Sequence, residues 1–316
     1  MVRVVRVERF GGPEVLEVAE VPPGEAGAGE VVIDVAAAEV LFLDTQIRAG
    51  WGQEYFKLDL PFVPGAGVAG VVRAVGEVVD NPLVGRRVIA GTGGVGTYAG
   101  GGYAEQAVVP VDEVFPVPDG LDLKIALAAL HDGATALEQL TQGQVEAGDR
   151  VLVTAAAGSL GGWLIPLLSA TGATVIAAAR GERKLRYAEE LGADRVVDYS
   201  LPGWADELSE VDVVFDGAGG AIGQAAYAAT RSGGRFLGYG AASGDFTAPD
   251  RDDVTTVGIF RPDPAESREL TRRALDELAR GKLTPTIGQT FPLAEAAAAH
   301  TTIQNRQALG KTLLLP

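Results

Sequence analysis

Cysteine is absent from this chain of 316 residues. Its absence excludes disulfides, thiolate nucleophiles and every zinc site that is built on cysteine. Histidine is nearly absent too, since the chain contains only His131 and His300, and neither is flanked on both sides by histidines or carboxylates at helical ligand spacing. We therefore expect a metal-free protein. We expect His131 in a helix or a pocket wall, and His300 at the end of an alanine-rich helix, where the dipole favours a cation.

Positive charge is scarce, because 26 Lys and Arg stand against 42 Asp and Glu. This acidic balance makes a nucleic acid or an anionic membrane surface an unexpected main partner. Long apolar runs are also missing, since no stretch reaches the roughly 18 to 20 residues that are needed to span a bilayer. The first residues do not combine a basic start with an apolar stretch and a cleavage site. We expect a cytoplasmic location.

The length of the chain and its 47% of hydrophobic residues predict an α/β protein of two domains. Residues 1–122 are rich in valine and glycine and predict a β-rich domain, and residues 261–316 are expected to pack back on it. Residues 123–260 alternate between strand and helix patterns and predict a parallel sheet. The strands expected are Val2–Val7, Val31–Ala36, Val68–Val75, Arg87–Ala90, Tyr103–Pro110, Thr174–Ala179, Arg195–Asp198, Val211–Asp216, Gly234–Tyr239, Thr255–Phe260, Thr284–Phe291 and Lys311–Leu315. The helices expected are Leu123–Gln142, Leu160–Thr171, Glu182–Leu191, Ala265–Arg280 and Leu293–Thr302.

The segment Val151–Gly162 joins an apolar run to closely spaced glycines and then to a helix. Glycine lets the backbone turn tightly and approach a pyrophosphate, which the N–H groups that open the helix stabilise. The first glycine of the G-x-G-x-x-G pattern is replaced by Ala156, and the spacing alone is weak evidence. The strand–helix–strand context favours a dinucleotide site over a purely structural turn. The residues expected to bind the cofactor here are Gly158, Ser159, Leu160 and Gly161.

The residue after the second strand of this unit indicates which dinucleotide binds. An acid there would accept hydrogen bonds from the ribose 2′-hydroxyl of NAD, whereas this chain has Arg180. Arginine attracts the 2′-phosphate of NADP, and Lys184 stands on the next helical turn to support it. The alternative is that both are solvated charges at the start of a helix. The sequence favours NADPH as the cofactor.

Motifs in a fixed order resemble the zinc-free quinone oxidoreductases of the medium-chain dehydrogenase/reductase superfamily across nearly the whole chain. In zinc-bearing relatives, the turn at Pro64–Gly70 carries a histidine and a glutamate, and both are replaced here. The glycine turn already described is also part of the pattern. The other matching segments are Arg9–Leu16, Asp44–Gly50, Pro64–Gly70, Gly133–Thr135, Leu191–Asp194 and Gly310–Leu314.

The resemblance implies a GroES-like barrel in residues 1–122 and 261–316 and a Rossmann domain in residues 123–260. It also implies that NADPH delivers hydride between them. Tyr199 and Lys184 would hold the 2′-phosphate, and small residues at later strand ends would let the nicotinamide ribose approach, although these glycines also serve to turn the chain. Lys311 is a weaker candidate, because a lysine near a chain end is usually solvated. The further cofactor contacts implied are Thr135, Gly217, Ala218, Gly240, Ala241 and Arg261.

The segment expected to line the substrate pocket departs from the family pattern. Leu41 replaces an asparagine, Gln46 replaces a tyrosine, and Gly52 stands where a second tyrosine is expected. Trp51 and Tyr55 would form an aromatic wall for a planar apolar substrate, although core packing is an equal alternative for each. Tyr55 is a candidate proton donor. Asp44 is a candidate for orienting such a group, against the alternative that it ties its loop to a helix N-terminus.

We therefore expect an NADPH-dependent reductase that acts on a quinone or on the activated carbon–carbon double bond of an α,β-unsaturated carbonyl compound. One alternative is an enoyl reductase of polyketide or secondary metabolism. Another is a catalytically weak NADPH-binding protein whose pocket changes have removed activity. The run Val254–Phe260 resembles an apolar edge strand, and its symmetric pairing in a homodimer would cover it.

Overall fold

The computed structural model describes residues 1–53, 58–79, 81–93, 101–208, 210–258 and 263–316. The strands are β1 Val2–Val7, β2 Leu16–Val21, β3 Glu30–Val40, β4 Gly67–Val75, β5 Arg87–Gly91, β6 Gln106–Pro110, β7 Val114–Pro116, β8 Arg150–Val153, β9 Thr174–Ala179, β10 Arg195–Asp198, β11 Val211–Asp216, β12 Thr230–Gly238, β13 Thr255–Val257, β14 Ile287–Pro292 and β15 Lys311–Leu315. The α-helices are α1 Phe42–Arg48, α2 Leu123–Leu127, α3 Ala134–Gly143, α4 Gly161–Ser169, α5 Glu182–Glu190, α6 Gly220–Ala228, α7 Pro264–Ala279 and α8 Ala296–Gln304.

The chain forms two compact units. The first comprises Met1–His131 and Thr271–Pro316, and the second comprises Asp132–Leu270. Both bounds lie somewhat later in the chain than the domain boundaries expected from the sequence. No helix among the described residues is long and apolar enough to cross a membrane.

The second unit is built on a parallel sheet. Its described strands are ordered β10-β9-β8-β11-β12-β13, and every adjacent pair is parallel. The strands β8, β9 and β11 read as apolar runs because both faces of the sheet are covered, and the side chains of Val151, Ile176 and Val214 are almost completely buried. Numbered within this unit, the order is 3-2-1-4-5-6, so the chain reverses direction across the sheet after the third strand.

The first unit is built on a mixed sheet of order β14-β15-β3-β4-β5-β7, in which β6 also pairs with β3, and β1 and β2 form a separate hairpin. The long strand β3 pairs with β4, β6 and β15, and its side chains Val31 and Ile33 lie in the core. The pairing of β15 with β3 confirms that the C-terminal segment packs back on the β-rich unit.

The expected helix Leu123–Gln142 is wrong as a single element. A π-helical turn, Ala129–Gly133, separates α2 from α3. A π-turn inserts an extra residue into the helical repeat and changes the direction of the side chains beside it, and such turns are frequent at functional sites. His131 lies in this turn.

Candidate active site

The glycine turn after β8 has the geometry of a phosphate-binding turn. The residues between β8 and α4 include Ala155 in the left-handed region, with φ of 51°. A Cβ atom on Gly161 would overlap the carbonyl oxygen of Ala156, so glycine is required for the close approach of α4 to the turn. A Cβ on Gly158 would meet only the carbonyl oxygen of Ala155, at 3.3 Å, among the described residues. The turn therefore leaves space beside Gly158, in front of the helix N-terminus.

The strand ends next to this turn are joined by a buried polar network around Asp216. The Thr154 hydroxyl donates to Asp216 Oδ1 at 2.5 Å, and the Thr247 hydroxyl donates to Asp216 Oδ2 at 2.7 Å. The backbone N–H groups of Ala218 and Gly219 donate to the same carboxylate. Asp216 thereby fixes the loop after β11 against the loop after β8.

The small residues at these strand ends allow the loops to pack on one another. A Cβ on Gly217 would lie 2.6 Å from the Tyr239 ring, and a Cβ on Gly240 would lie 2.8 Å from the Gly217 carbonyl oxygen. The Tyr239 hydroxyl donates to the Thr154 carbonyl oxygen at 3.3 Å. Burial, together with the charge of Asp216, raises the pKa of Tyr239, so its hydroxyl stays protonated. The cofactor contacts expected of Gly217, Ala218, Gly240 and Ala241 stay a prediction.

Arg180 is exposed directly after β9, at the carboxyl edge of the sheet. Lys184 and Tyr199 are half-buried, and the Tyr199 ring stacks edge-on against Trp204 at 6.3 Å between centroids. Sequence reasoning missed the role of Asp198 near Arg180. Asp198, at the end of β10, accepts hydrogen bonds from the Gly181 N–H and from the Ser200 N–H and hydroxyl.

The Asp198 carboxylate is ionised and fixes the chain beside Arg180. Burial opposes ionisation, but the hydrogen bonds of Ser200 and Gly181 and the charge of Arg180 together lower the pKa of Asp198. Both carboxylate oxygens accept from neighbouring donors. Arg180 itself is exposed to solvent.

Two expected site residues, Tyr55 and Arg261, lie outside the described residues. Thr135 is half-buried in the first turn of α3. The expected pocket residues Leu41 and Gln46 are half-buried at α1, and the exposed fraction of Trp51 is 42%. The Gln46 side chain donates to the Thr45 hydroxyl at 3.3 Å, so its amide is turned to its own helix.

Asp44 ties the loop before α1 to the helix N-terminus, which is one of the two roles considered for it from the sequence. Its Oδ2 accepts from the Leu41 N–H at 2.8 Å and from the Tyr103 hydroxyl at 3.2 Å. Asp44 is 1% exposed, and burial, with the charge of Glu39, raises its pKa to about 7 despite the hydrogen bond from Leu41. Its carboxyl is thus protonated in a large fraction of molecules near neutral pH.

The expectation of a cationic His300 at a helix end is wrong. His300 lies within α8, is completely buried, and shares a 2.9 Å hydrogen bond with the Tyr103 hydroxyl through Nε2. Burial, with the nearby charge of Arg48, lowers the pKa of His300 to about 3. The imidazole is therefore neutral, and it belongs to a buried chain Asp44–Tyr103–His300.

Sequence reasoning missed a second buried group in the first unit. Glu39, near the end of β3, bonds to both His131 Nδ1 and Lys311 Nζ. Glu39 is completely buried and Lys311 is 1% exposed, so the expectation of a solvated Lys311 is wrong. A contact of Lys311 with the cofactor stays a prediction. No group of three or more metal-ligating side chains was found among the described residues.

A parallel sheet of order 3-2-1-4-5-6 with a glycine turn after its first strand defines a Rossmann dinucleotide-binding unit. Two family models match the chain: the alcohol dehydrogenase GroES-like domain at residues 27–119 and the zinc-binding dehydrogenase model at residues 191–314. Together, these features define the medium-chain dehydrogenase/reductase class.

Relatives narrow this class to one family. A 2-haloacrylate reductase from a Burkholderia species is 34% identical over 100% of this chain and 99% of its own length. The quinone oxidoreductase of Pseudomonas aeruginosa is 31% identical over the full length of both chains. A mycobacterial protein solved in complex with NADPH superposes with a TM-score of 0.88, at 30% identity and over 100% of both chains. This chain belongs to the quinone oxidoreductase family of the medium-chain dehydrogenase/reductase superfamily.

Proposed function

We propose that this chain is an NADPH-dependent oxidoreductase that reduces quinones or the activated carbon–carbon double bond of α,β-unsaturated carbonyl compounds. The observation that carries the proposal is the turn between β8 and α4, where Gly161 permits the close helix approach and Gly158 leaves room for a phosphate. The family relatives support the same reaction class, since they include a quinone oxidoreductase and a 2-haloacrylate reductase.

The residues at the carboxyl edge of the sheet fit a dinucleotide phosphate. The helix α4 begins directly after the turn, and the positive end of its dipole favours a phosphate there. The Gly162 N–H donates to the Gly158 carbonyl oxygen at 3.1 Å, which ties the turn to the helix. Arg180 supplies the charge that a 2′-phosphate requires, and Lys184 and Tyr199 stand beside it on α5 and after β10. When bound, NADPH supplies a hydride from its nicotinamide ring.

The chain's own residues supply orientation and electrostatics. Asp216 and Thr154 hold the strand-end loops rigid, so a ring placed against them has a fixed position. In the first unit, Leu41 removes a polar group from the expected pocket, and Trp51 adds an exposed aromatic face. Such a lining suits a planar apolar acceptor. The reaction on this proposal needs no metal.

Assembly and location are further parts of the proposal. The strand β13 lies at the edge of the parallel sheet as described, and pairing of two copies along this edge would cover it. We infer a homodimer on this ground. The cytoplasmic location expected from the sequence stays a prediction.

Calorimetric titration of the purified protein with NADPH and with NADH tests the cofactor assignment. We expect NADPH to bind at least about tenfold more tightly, a difference of about 1.4 kcal/mol in binding free energy, because only NADPH carries the phosphate that faces Arg180. Equal affinities would overturn the assignment to NADPH. Tight NADPH binding without turnover on any acceptor would instead favour the catalytically weak binding protein.

A further inference from the structure

Three ionisable side chains lie together in the first unit: Glu39, His131 and Lys311. We call them the Glu39 cluster. Glu39 and Lys311 are buried, whereas the His131 side chain is 39% exposed. His131 is therefore the member of the cluster that is accessible at the surface of the unit.

The packing around Glu39 is arranged to accept its carboxylate. A Cβ on Gly67 would overlap Glu39 Oε1, so the absence of a side chain on β4 makes the space that the carboxylate occupies. A buried ion pair gives little net stability, since apolar residues of the same volume often stabilise a core as well or better. Stability alone therefore does not account for these buried charges.

The hydrogen bonds of Glu39 fix which nitrogen of His131 carries a proton. Burial raises the pKa of Glu39, but the charges of His131 and Lys311 and their hydrogen bonds lower it to about 2. A carboxylate accepts hydrogen bonds and donates none. His131 Nδ1 must therefore be the donor, so Nε2 is the nitrogen at which the ring gains or loses its second proton.

His131 is connected through Glu39 and Asp44 to the segment that carries the expected substrate pocket. Its partner Glu39 precedes Leu41 by two residues at the end of β3, and Asp44 on α1 interacts electrostatically with both Glu39 and His131. In the sequence, His131 precedes Thr135 by four residues, about one helical turn. The π-helical turn that carries His131 sets the direction of its side chain.

We propose that His131 is the general acid for reduction of activated carbon–carbon double bonds, with Glu39 as its positioning residue and Lys311 holding Glu39 ionised. This proposal rests on the proposed function. Once the β-carbon of the substrate has accepted hydride, the former double-bond electrons lie on an enolate. The proton on His131 Nε2 moves to the α-carbon, the imidazole is left neutral, and water restores the proton. The product is the saturated carbonyl compound.

The role of His131 distinguishes the two substrate classes. Protonation of an enolate at carbon is slower than protonation at oxygen and is accelerated by a positioned acid, whereas a reduced quinone takes its protons on oxygen, where water supplies them readily. His131 therefore specifies enones and related substrates and is dispensable for quinones.

The variant His131→Ala tests the proposal with the intact protein, a cyclic enone and a benzoquinone. We expect kcat for the enone to fall about 10²- to 10⁴-fold, far more than kcat for the quinone, and we expect added imidazole to restore part of the enone rate. Retained enone turnover, or equal losses with both acceptors, would overturn the role of His131. If the wild-type enzyme reduces neither acceptor, the proposed function itself fails, and this inference falls with it.

A second measurement does not depend on turnover. The chain has only two histidines, so ¹⁵N NMR of the cofactor-free protein can resolve both imidazoles. We expect neutral His131 to carry its proton on Nδ1, and we expect the variant Glu39→Gln to alter the His131 signals and lower enone kcat more than it raises KM. A proton on Nε2 in neutral His131, or signals that do not change in Glu39→Gln, would contradict the positioning role of Glu39.

Discussion

At the scale of single residues, the two glycines of the β8–α4 turn have different expected roles, Gly161 in packing and Gly158 in phosphate binding. A Cβ on Gly161 would overlap the Ala156 carbonyl oxygen, whereas a Cβ on Gly158 would meet, among the described residues, only the Ala155 carbonyl oxygen, at 3.3 Å. Both backbones lie outside the left-handed region, so alanine is compatible with their conformations. The two positions therefore form a matched pair for mutation.

Gly161→Ala is expected to destabilise the protein by about 1–3 kcal/mol, because the helix must move away from the turn. Gly158→Ala is expected to keep near wild-type stability and to weaken NADPH binding about tenfold or more, because its methyl group occupies the phosphate space. Denaturant unfolding and calorimetric titration check the two effects. An unchanged NADPH affinity in Gly158→Ala would place the phosphate elsewhere.

Arg180 carries the discrimination between the two nicotinamide cofactors. In Arg180→Asp, NADPH binding is expected to weaken about ten- to a hundredfold, because a charge-assisted contact of about 1.5–3 kcal/mol is replaced by repulsion, while NADH binding changes much less. Arg186→Ala on the exposed side of α5 is the matched control, since its side chain is 66% exposed. Equal losses for NADPH and NADH would rule out a 2′-phosphate contact.

At the scale of secondary-structure elements, the N-terminus of α1 links a buried carboxyl to the stability of the fold. The pKa of Asp44 rises to about 7 on folding, so its contribution to stability is present below its unfolded pKa of about 3.9 and is lost as pH rises through 7. His300 acts in the opposite direction. Its pKa falls to about 3, so its contribution is present above about 6.5 and is lost as pH falls toward 3.

Asp44→Asn removes one of these two opposing contributions. The asparagine keeps an acceptor for the Leu41 N–H and has no charge to bury. The free energy of unfolding of Asp44→Asn, relative to wild type, is therefore expected to increase between about pH 5 and about pH 8. Asp276→Asn, at a carboxylate that is 62% exposed, is the control for a surface charge. A difference that does not vary with pH would show that Asp44 is ionised throughout this range.

The elements also show where sequence patterns suffice and where they do not. The strands Val211–Asp216 and Lys311–Leu315 begin and end at the expected residues, because short apolar runs between turn residues have few alternatives to a buried strand. The strand β2 was missed because its two glutamates interrupt the alternation of apolar and polar residues and because, among the described strands, it pairs with β1 alone. The π-turn at Ala129–Gly133 was missed because its apolar residues continue a helical pattern.

The residues of the candidate site also divide into those that the sequence predicts and those that it does not. The glycine turn and Arg180 are local in sequence and were predictable from spacing. The Glu39 cluster was not, since Glu39 is 92 residues from His131 and 272 residues from Lys311. The signal available in the sequence was the charge of Glu39 in the otherwise apolar run Val35–Val40, because burial of a lone carboxylate requires a partner.

At the scale of the whole molecule, the expectation that the protein binds no metal can be tested by one measurement. One matching family model is described as a zinc-binding dehydrogenase, yet this chain lacks cysteine. The purified protein is expected to contain far less than one zinc per chain by plasma emission spectroscopy, and chelation is expected to leave NADPH oxidation unchanged. One zinc per chain, with activity lost on chelation, would contradict a metal-free reductase.

The proposed homodimer is also a property of the whole molecule. Light scattering at micromolar concentration is expected to give twice the mass of one chain, because β13 is the edge of the sheet as described. A Val257→Lys substitution, on this edge strand, is expected to shift the mass toward the monomer. A monomer mass for the wild-type protein would remove the proposed pairing.

The reaction itself is tested most directly by the rate of NADPH oxidation with a panel of quinones, cyclic enones and enoyl thioesters, with NADH as the parallel donor. We expect rapid oxidation of NADPH by at least one of these classes of acceptor and a much lower kcat/KM with NADH. Oxidation of neither donor by any acceptor, or a preference for NADH, would contradict an NADPH-dependent reductase.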